Sequence, residues 1–504
     1  MRPGGPRPRH RGALGLWLAF AAVPAAAQVS PLTSQTLFFY QAVNNYGGNY
    51  LAADAGAVWS DNILRTAGGS SDTLLLLGLS GDVSGEGGHF DYRLSSNLAL
   101  AKYLSGNFPT KPIGFLDGLA TLRIVPGFFS WIARETYSQV QINVYAPASP
   151  ENLVNMNFIT TGPRFTLRPT LRTSVRLDAL YSYLNTSSYS YLGTSSGSYV
   201  FSNFDNHRYG GRLTIDRAFS ESAKLYLKGE YEKVEFKDQM NNHNFSIGTA
   251  EGGYNLTDAR TVFDVSGGYS RLRVYDVPGT VESVAGERET LQTEEFEEPT
   301  WKLLLSRLIT PSERLGVNAS QQFIDAAGSF RANFDQAAPT IAPALLASGN
   351  PFLQRFFGVN WHIQGVRTAF NISLYKSSSR YLLTNLNVNT NVHDYDSKGA
   401  SALLSRELSP VLRWNIGVNY EHVNQTGTQT PGVPAQSATG HSAITNLQWQ
   451  VGEHLGLRFV YAYSSWGGVA TNQVGVIASW VFVKPQASAA QALPALSPTT
   501  PIAR

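Results

Sequence analysis

The chain contains no cysteine, which excludes a disulfide framework, a thiolate metal site and a lipid-attachment cysteine behind a leader. Charge is scarce: Asp, Glu, Lys and Arg make up 15% of the residues, against roughly 25% in soluble domains. Past residue 27 no stretch approaches the roughly 20 consecutive apolar residues of a membrane helix. The chain also lacks H-E-x-x-H, a G-x-S-x-G elbow and a phosphate-cradling glycine loop, and its nine histidines are scattered. These absences leave no expected cofactor, metal site or catalytic constellation.

Aromatic residues reach 12% and glycine is plentiful, an unusual balance for a soluble domain. Residues 1–27 carry Arg2, Arg7, Arg9 and Arg11, then an apolar run from Ala13 to Val23, then Pro24 and Ala25-Ala26-Ala27. That order reads as a secretory signal peptide with a small-residue cleavage site, and the run is too short to span a bilayer. Taking the four signal arginines from the formal +3 leaves the mature chain at −1, with no general pull toward nucleic acid.

Alternation at period two is the main positive signal. Across residues 171–183 the odd positions are Leu171, Thr173, Val175, Leu177, Ala179, Tyr181 and Tyr183, with Arg172, Ser174, Arg176 and Asp178 between them. Leu412, Trp414, Ile416, Val418 and Tyr420 alternate with Arg413, Asn415, Gly417 and Asn419. Leu447, Trp449 and Val451 alternate with Asn446, Gln448 and Gln450, and Val474, Val476, Ala478, Trp480 and Phe482 share a face. Residues 225–236 break step, from Leu225, Leu227 and Tyr231 to Val234 and Phe236, which reads as a bulge or a strand leaving the membrane.

Tight-turn signals recur at Pro126-Gly127, Arg168-Pro169-Thr170, Ser220-Glu221-Ser222, Thr257-Asp258, Thr310-Pro311-Ser312, Gln364-Gly365, Ser409-Pro410 and Gly452-Glu453. Between them lie longer polar stretches such as 187–198, 424–440 and 464–471. This grammar predicts an all-β fold: a transmembrane antiparallel up-and-down β-barrel of about 18 strands (16 to 20), with short periplasmic turns and longer extracellular loops. The expected organisation is a signal peptide over 1–27, a lead-in over 28–47, the barrel over 48–483 and a disordered Pro/Ala-rich tail over 484–504.

The early segment Val58-Trp59-Ser60-Asp61-Asn62-Ile63-Leu64, the Leu-rich strand 74–79, the glycine turn 81–88 and His89-Phe90-Asp91-Tyr92-Arg93-Leu94 resemble the outer-membrane β-barrel porins, including those associated with exopolysaccharide and PEP-CTERM (exosortase) systems. The resemblance extends loosely to Phe482. It implies outer-membrane residence in a Gram-negative-type cell, transport or polysaccharide export, and no catalytic residues.

Arg164, Arg168, Arg172 and Arg176 share one parity across the Pro169 turn. They read either as an anion-favouring group near the periplasmic mouth or as ordinary lumen arginines paired with acids such as Asp178. Lys224, Lys228, Glu230 and Glu232 line one strand face with both signs present, the pattern of a cross-strand network. With Arg413, Asn446 and Gln448, these residues are the candidate lumen lining. Glu287, Glu289, Glu294, Glu295, Glu297 and Glu298 form an acidic cluster read as a solvated loop and strand start, with divalent-cation binding as the alternative. Residues 325–350, with Pro339 and Pro343, read equally as an inward constriction or an external loop.

The leading expectation is a passive channel for small solutes or a secreted polysaccharide. A closed barrel anchoring surface polysaccharide or partners is the alternative. An outer-membrane hydrolase ranks below both, since His207, His243, His393 and His441, read as loop-like, have only the Ser, Asp and Asn that any loop offers. Expected partners are outer-membrane lipid, lipopolysaccharide and the barrel-assembly machinery.

Overall fold

The computed structural model describes residues 49–187, 204–239, 242–278, 291–329, 348–382, 394–426 and 436–483. The expected signal peptide, the lead-in and the C-terminal tail lie outside them. Strands β1 to β5 are Tyr50–Ser60, Asp72–Glu86, Phe90–Tyr103, Lys111–Val125 and Phe129–Gln141. Then β6 to β10 are Leu153–Thr170, Thr173–Thr186, Asn206–Ala218, Ala223–Phe236 and Phe245–Thr257. The next five, β11 to β15, are Thr261–Pro278, Leu291–Thr310, Glu313–Ile324, Phe352–Gln364 and Thr368–Tyr381. Finally β16 to β20 are Tyr395–Ser409, Leu412–Gln425, Ser437–Gln450, Leu455–Trp466 and Val469–Val483.

Each strand pairs antiparallel with its sequence neighbours, and β1 pairs antiparallel with β20 from Leu51↔Val483 to Ser60↔Gln473. The 20-stranded sheet is therefore closed. Closure matters in lipid, where each unsatisfied backbone group costs several kcal/mol and a sheet edge would expose a whole row. At the seam, Ser479 donates its hydroxyl to the buried carboxylate of Asp54, and Asn472 donates to Asp61.

The outward face explains the alternation. Leu75, Leu77 and Leu79 on β2, Leu225 and Leu227 on β9, and Val474 and Val476 on β20 all stand exposed. Two aromatic girdles bound this apolar band: Trp131, Trp361, Trp414, Trp449 and Trp480 nearer the tight turns, and Trp59, Tyr209, Tyr231, Tyr269, Trp301 and Tyr420 nearer the other end. Outward apolar side chains between aromatic girdles on a closed sheet are the requirements of a hydrocarbon layer. The chain is a multi-pass β-barrel of the outer membrane. The described residues hold no helix able to cross a membrane.

Nine tight turns and both ends of the strand series lie at one end, which is therefore periplasmic, and the longer connections lie at the other. All eight predicted turns fall at the periplasmic end. The expected long loop at 464–471 is instead a hairpin with Gly467 (φ 57°) and Gly468 (φ 86°) at its tip. Two adjacent left-handed residues twist the chain as flanking strands require, and Gly-Gly supplies them without a Cβ clash.

Strand β9 runs through Val234 and Phe236 with no slip against β8 or β10, so the predicted bulge is absent. The apolar switch has another cause. Val234 and Phe236 keep the inward parity of Lys224 and Lys228 and are buried inside the barrel. Inward apolar residues also line β1 to β4 and β18 to β20, among them Val58, Leu74, Leu76, Ala101, Ile444 and Ile477. The lumen wall is thus not polar throughout, as the alternation alone implied.

Candidate functional site

Inward side chains of β6 to β10 build a charged wall. Arg164 on β6 grips Asp178 on β7 through two bonds, Nε to Oδ1 at 2.7 Å and Nη2 to Oδ2 at 3.0 Å. Asp178 is directly opposite Arg212 on β8, which donates to Glu230 on β9 at 2.7 Å. Lys228 bridges Glu230 at 2.8 Å and Glu251 on β10 at 3.0 Å. One row nearer the periplasm, Lys224 lies 3.5 Å from Asp216, and Tyr226 donates to Asp264 on β11 at 2.8 Å. Signs alternate from strand to strand because opposite charges facing across a ladder attract, while like charges would repel.

Of the arginine group read from sequence, Arg164 and Arg176 face the lumen, and Arg164 is paired as the bland reading had it. Arg168 and Arg172 are exposed at the β6–β7 turn rather than crowded into the wall. Arg176 faces Thr166 and Thr214 across its two neighbours and forms no ion pair among the described residues. Lys224, Lys228 and Glu230 belong to the network just described, and Glu232 approaches Arg208 at 3.8 Å. Farther round the wall, Arg413 donates to Glu407 at 2.6 Å, Asn446 accepts from Asn415 at 3.0 Å, and Gln448 is buried opposite Arg413 and Arg458.

Toward the extracellular end the interior changes character. Val154, Met156, Phe158, Leu184, Val234, Phe236, Phe245, Leu272 and Val274 all face inward and are almost fully buried. Wall residues of a 20-stranded barrel would be wet unless something filled the space they face. Among the described residues, two connections fill it, with Phe204 of the β7–β8 connection beside them. In the β5–β6 connection, Val144 and Tyr145 join the cluster, and the Tyr145 carbonyl accepts from Trp466 Nε1 on β19 at 2.8 Å. Burial raises the Tyr145 hydroxyl pKa, assisted by Tyr395 and Asp394 on the opposite side of the barrel. Lys111 steadies the far end of this connection by donating Nζ to the Pro150 carbonyl at 2.6 Å. Burial lowers the Lys111 pKa to about 8, with Glu151 opposing the shift.

The second connection follows β13. Residues 326–329 make a helical turn, Ala326 and Ala327 are fully buried, and Asp325 reaches Arg208 of β8 at 2.5 and 3.1 Å. Arg208 is 1% exposed, donates Nε to Asn206 at 2.9 Å and lies over the Phe158 ring at 5.4 Å. The described stem of 325–350 therefore turns inward, while Pro339 and Pro343 lie outside the described residues. No sequence signal pointed to Arg208 and Asp325, which are 117 residues apart.

Several other readings are corrected. Glu294, Glu295, Glu297 and Glu298 lie at the start of β12, in keeping with the strand-start part of that reading, but they are not merely solvated: Glu295 and Glu297 face outward and pair with Arg271 and Arg273. Glu287 and Glu289 lie outside the described residues, among which no His, Cys, Asp and Glu group is arranged to hold a metal. His207 and His441 are strand residues rather than loop ones, His243 is in the β9–β10 connection, and His393 lies outside the described residues.

No family model matches the chain, and no curated protein does. Among solved structures it is similar to the FrpB iron transporter from Neisseria meningitidis (F5-1 variant), at 9% identity over 86% of this chain and 82% of that one, with a TM-score of 0.44. It is also similar to the copper transporter OprC, at 11% identity over 87% and 82%, with a TM-score of 0.42. For the siderophore receptor PirA from Pseudomonas aeruginosa the identity is 9% over 86% and 80%, with a TM-score of 0.42.

Proposed function

We propose that this barrel is a passive, porin-like channel with a narrowed outer mouth. It would carry polar solutes thin enough to thread past the cap, a class that includes small solutes and single strands of secreted polysaccharide. The observation that carries the reading is the alternating wall from Arg164 to Glu251, whose members other than the buried Asp178 are partly exposed to the lumen. Such a wall offers donors and acceptors to a hydroxylated solute, and its near-neutrality opposes neither sign strongly. Arg176, which forms no ion pair among the described residues, tips the balance toward anions.

A second reading is a closed barrel that anchors surface polysaccharide or partners, favoured by the apolar cap. Single-channel recording of the full-length barrel in a planar bilayer, with salts of different anion size, decides between them. Stable steps with anion preference that weakens in Arg176→Gln support the channel. A folded, silent barrel overturns it in favour of the closed one.

A further inference from the structure

The outer wall carries a row of bases that the lumen does not use. Lys376 on β15 and Lys398 on β16 are exposed and directly opposite each other in the ladder. The next partner of Lys398 is His422 on β17, whose Nδ1 is 2.8 Å from the Thr439 hydroxyl. Arg355, two positions above Phe357 on β14, donates Nε to the neutral side chain of Gln321 at 2.7 Å. Neither lysine forms an ion pair among the described residues.

Two features set this row apart from ordinary surface charge. Like charges directly opposite in a ladder destabilise the sheet, and Asp396, the next outward residue of β16, forms no ion pair with either lysine, so the Lys376–Lys398 pair is unfavourable without an anion between them. At the same end of the outer wall, charges on β9, β11 and β12 neutralise one another: Lys233 with Glu235 at 2.6 Å and Arg273 with Glu295 at 2.8 Å. The height of the row is informative too. The row just below it, toward the periplasm, carries Leu374, Ala400 and Tyr420, which belong to the apolar band and its upper girdle. The lysines thus stand at the headgroup level of the outer leaflet.

We infer that Lys376 and Lys398, flanked by Arg355 and His422, bind the phosphate of an anionic outer-leaflet glycolipid of the lipid A type. Acyl chains would lie along the apolar band below, and the phosphate would sit between the two ammonium groups. Arg355 and His422 supply further donors on either side. This site is on the outside of the wall and is independent of whether the lumen conducts.

The test titrates the full-length barrel in detergent micelles with three probes: diphosphoryl lipid A, the same lipid stripped of both phosphates, and inorganic phosphate. Native mass spectrometry reads binding and a thermal melt reads stabilisation. Diphosphoryl lipid A should bind and raise the melting temperature, and Lys376→Gln/Lys398→Gln should weaken that binding about 30-fold. Without lipid, the double variant should melt no lower than the unsubstituted barrel, because a repulsion has been removed. Unchanged lipid A binding in the variant, equal binding of the stripped lipid, or equal stabilisation by inorganic phosphate would each overturn the assignment. So would a variant that loses heat resistance in the absence of lipid.

Discussion

Removing the Asp325 carboxylate should release the second inward connection without unfolding the barrel. In Asp325→Ala the Arg208 guanidinium stays buried with Glu232, at 3.8 Å, as its remaining counter-charge. Deleting one member of a buried ion pair costs about 3–5 kcal/mol, and Glu232 holds the loss to the lower end, about 3 kcal/mol. That energy is relieved by undocking of the 325–329 stem, since the strand ladders do not depend on it. At 1.4 kcal/mol per decade it lowers the docked-to-undocked ratio by roughly 100-fold. Planar-bilayer recording should show larger or more frequent openings in Asp325→Ala, and limited proteolysis should cut faster near the stem. Replacing both partners with apolar residues, Arg208→Met/Asp325→Leu, should restore closure, because an apolar pair replaces a buried ionic one at little cost. Identical conductance and cleavage in Asp325→Ala and the unsubstituted barrel, both folded by heat-modifiable migration, would refute the latch.

Lys111 gives a pH dependence. Its pKa is about 8 in the folded barrel and near 10.5 when unfolded, so the folded state binds fewer protons between those values and stability rises with pH across them. The gain, on the order of 3 kcal/mol, should appear as a rising heat-modification temperature from pH 8 to 10.5, and Lys111→Met should flatten that slope. At the seam, Ser479→Ala leaves the buried Asp54 without that hydroxyl donor. It should cost about 1–3 kcal/mol and lower the same temperature at pH 7, measured by gel shift against heating.

The lipid-facing half of each strand was legible because hydrocarbon demands one thing of it, and Leu412 to Tyr420 or Val474 to Phe482 comply at strict period two. Turns such as Pro126-Gly127 were legible because tight reversals need those residues locally. The strand number came out at the top of the expected range, since β1 to β4 carry apolar residues on both faces and blur into one another. Alternation assumes a wet lumen, so Val234 and Phe236 read as irregularity when, with Phe245 and Leu272, they are the wall of a packed cap. Their shared switch to apolar inward positions near one end of three neighbouring strands was the available signal. The charge network was readable strand by strand, in Lys224, Lys228 and Glu230, but not across strands, where Arg164 meets Asp178. The Arg208–Asp325 contact had no local trace, because nothing within either segment specifies a partner more than a hundred residues away.

The strands differ in length, and the difference shapes how anything outside meets the barrel. Strand β12 has 20 residues and β19 has 12. At roughly 3.3 Å per residue and a tilt near 40°, they climb about 50 and 30 Å. The rim is therefore a slope, high where β11 and β12 rise clad in self-paired charge and low at the Gly467-Gly468 hairpin. A phage tail or antibody descending on the cell meets a taller span of strand at β11 and β12 than at β19 and β20.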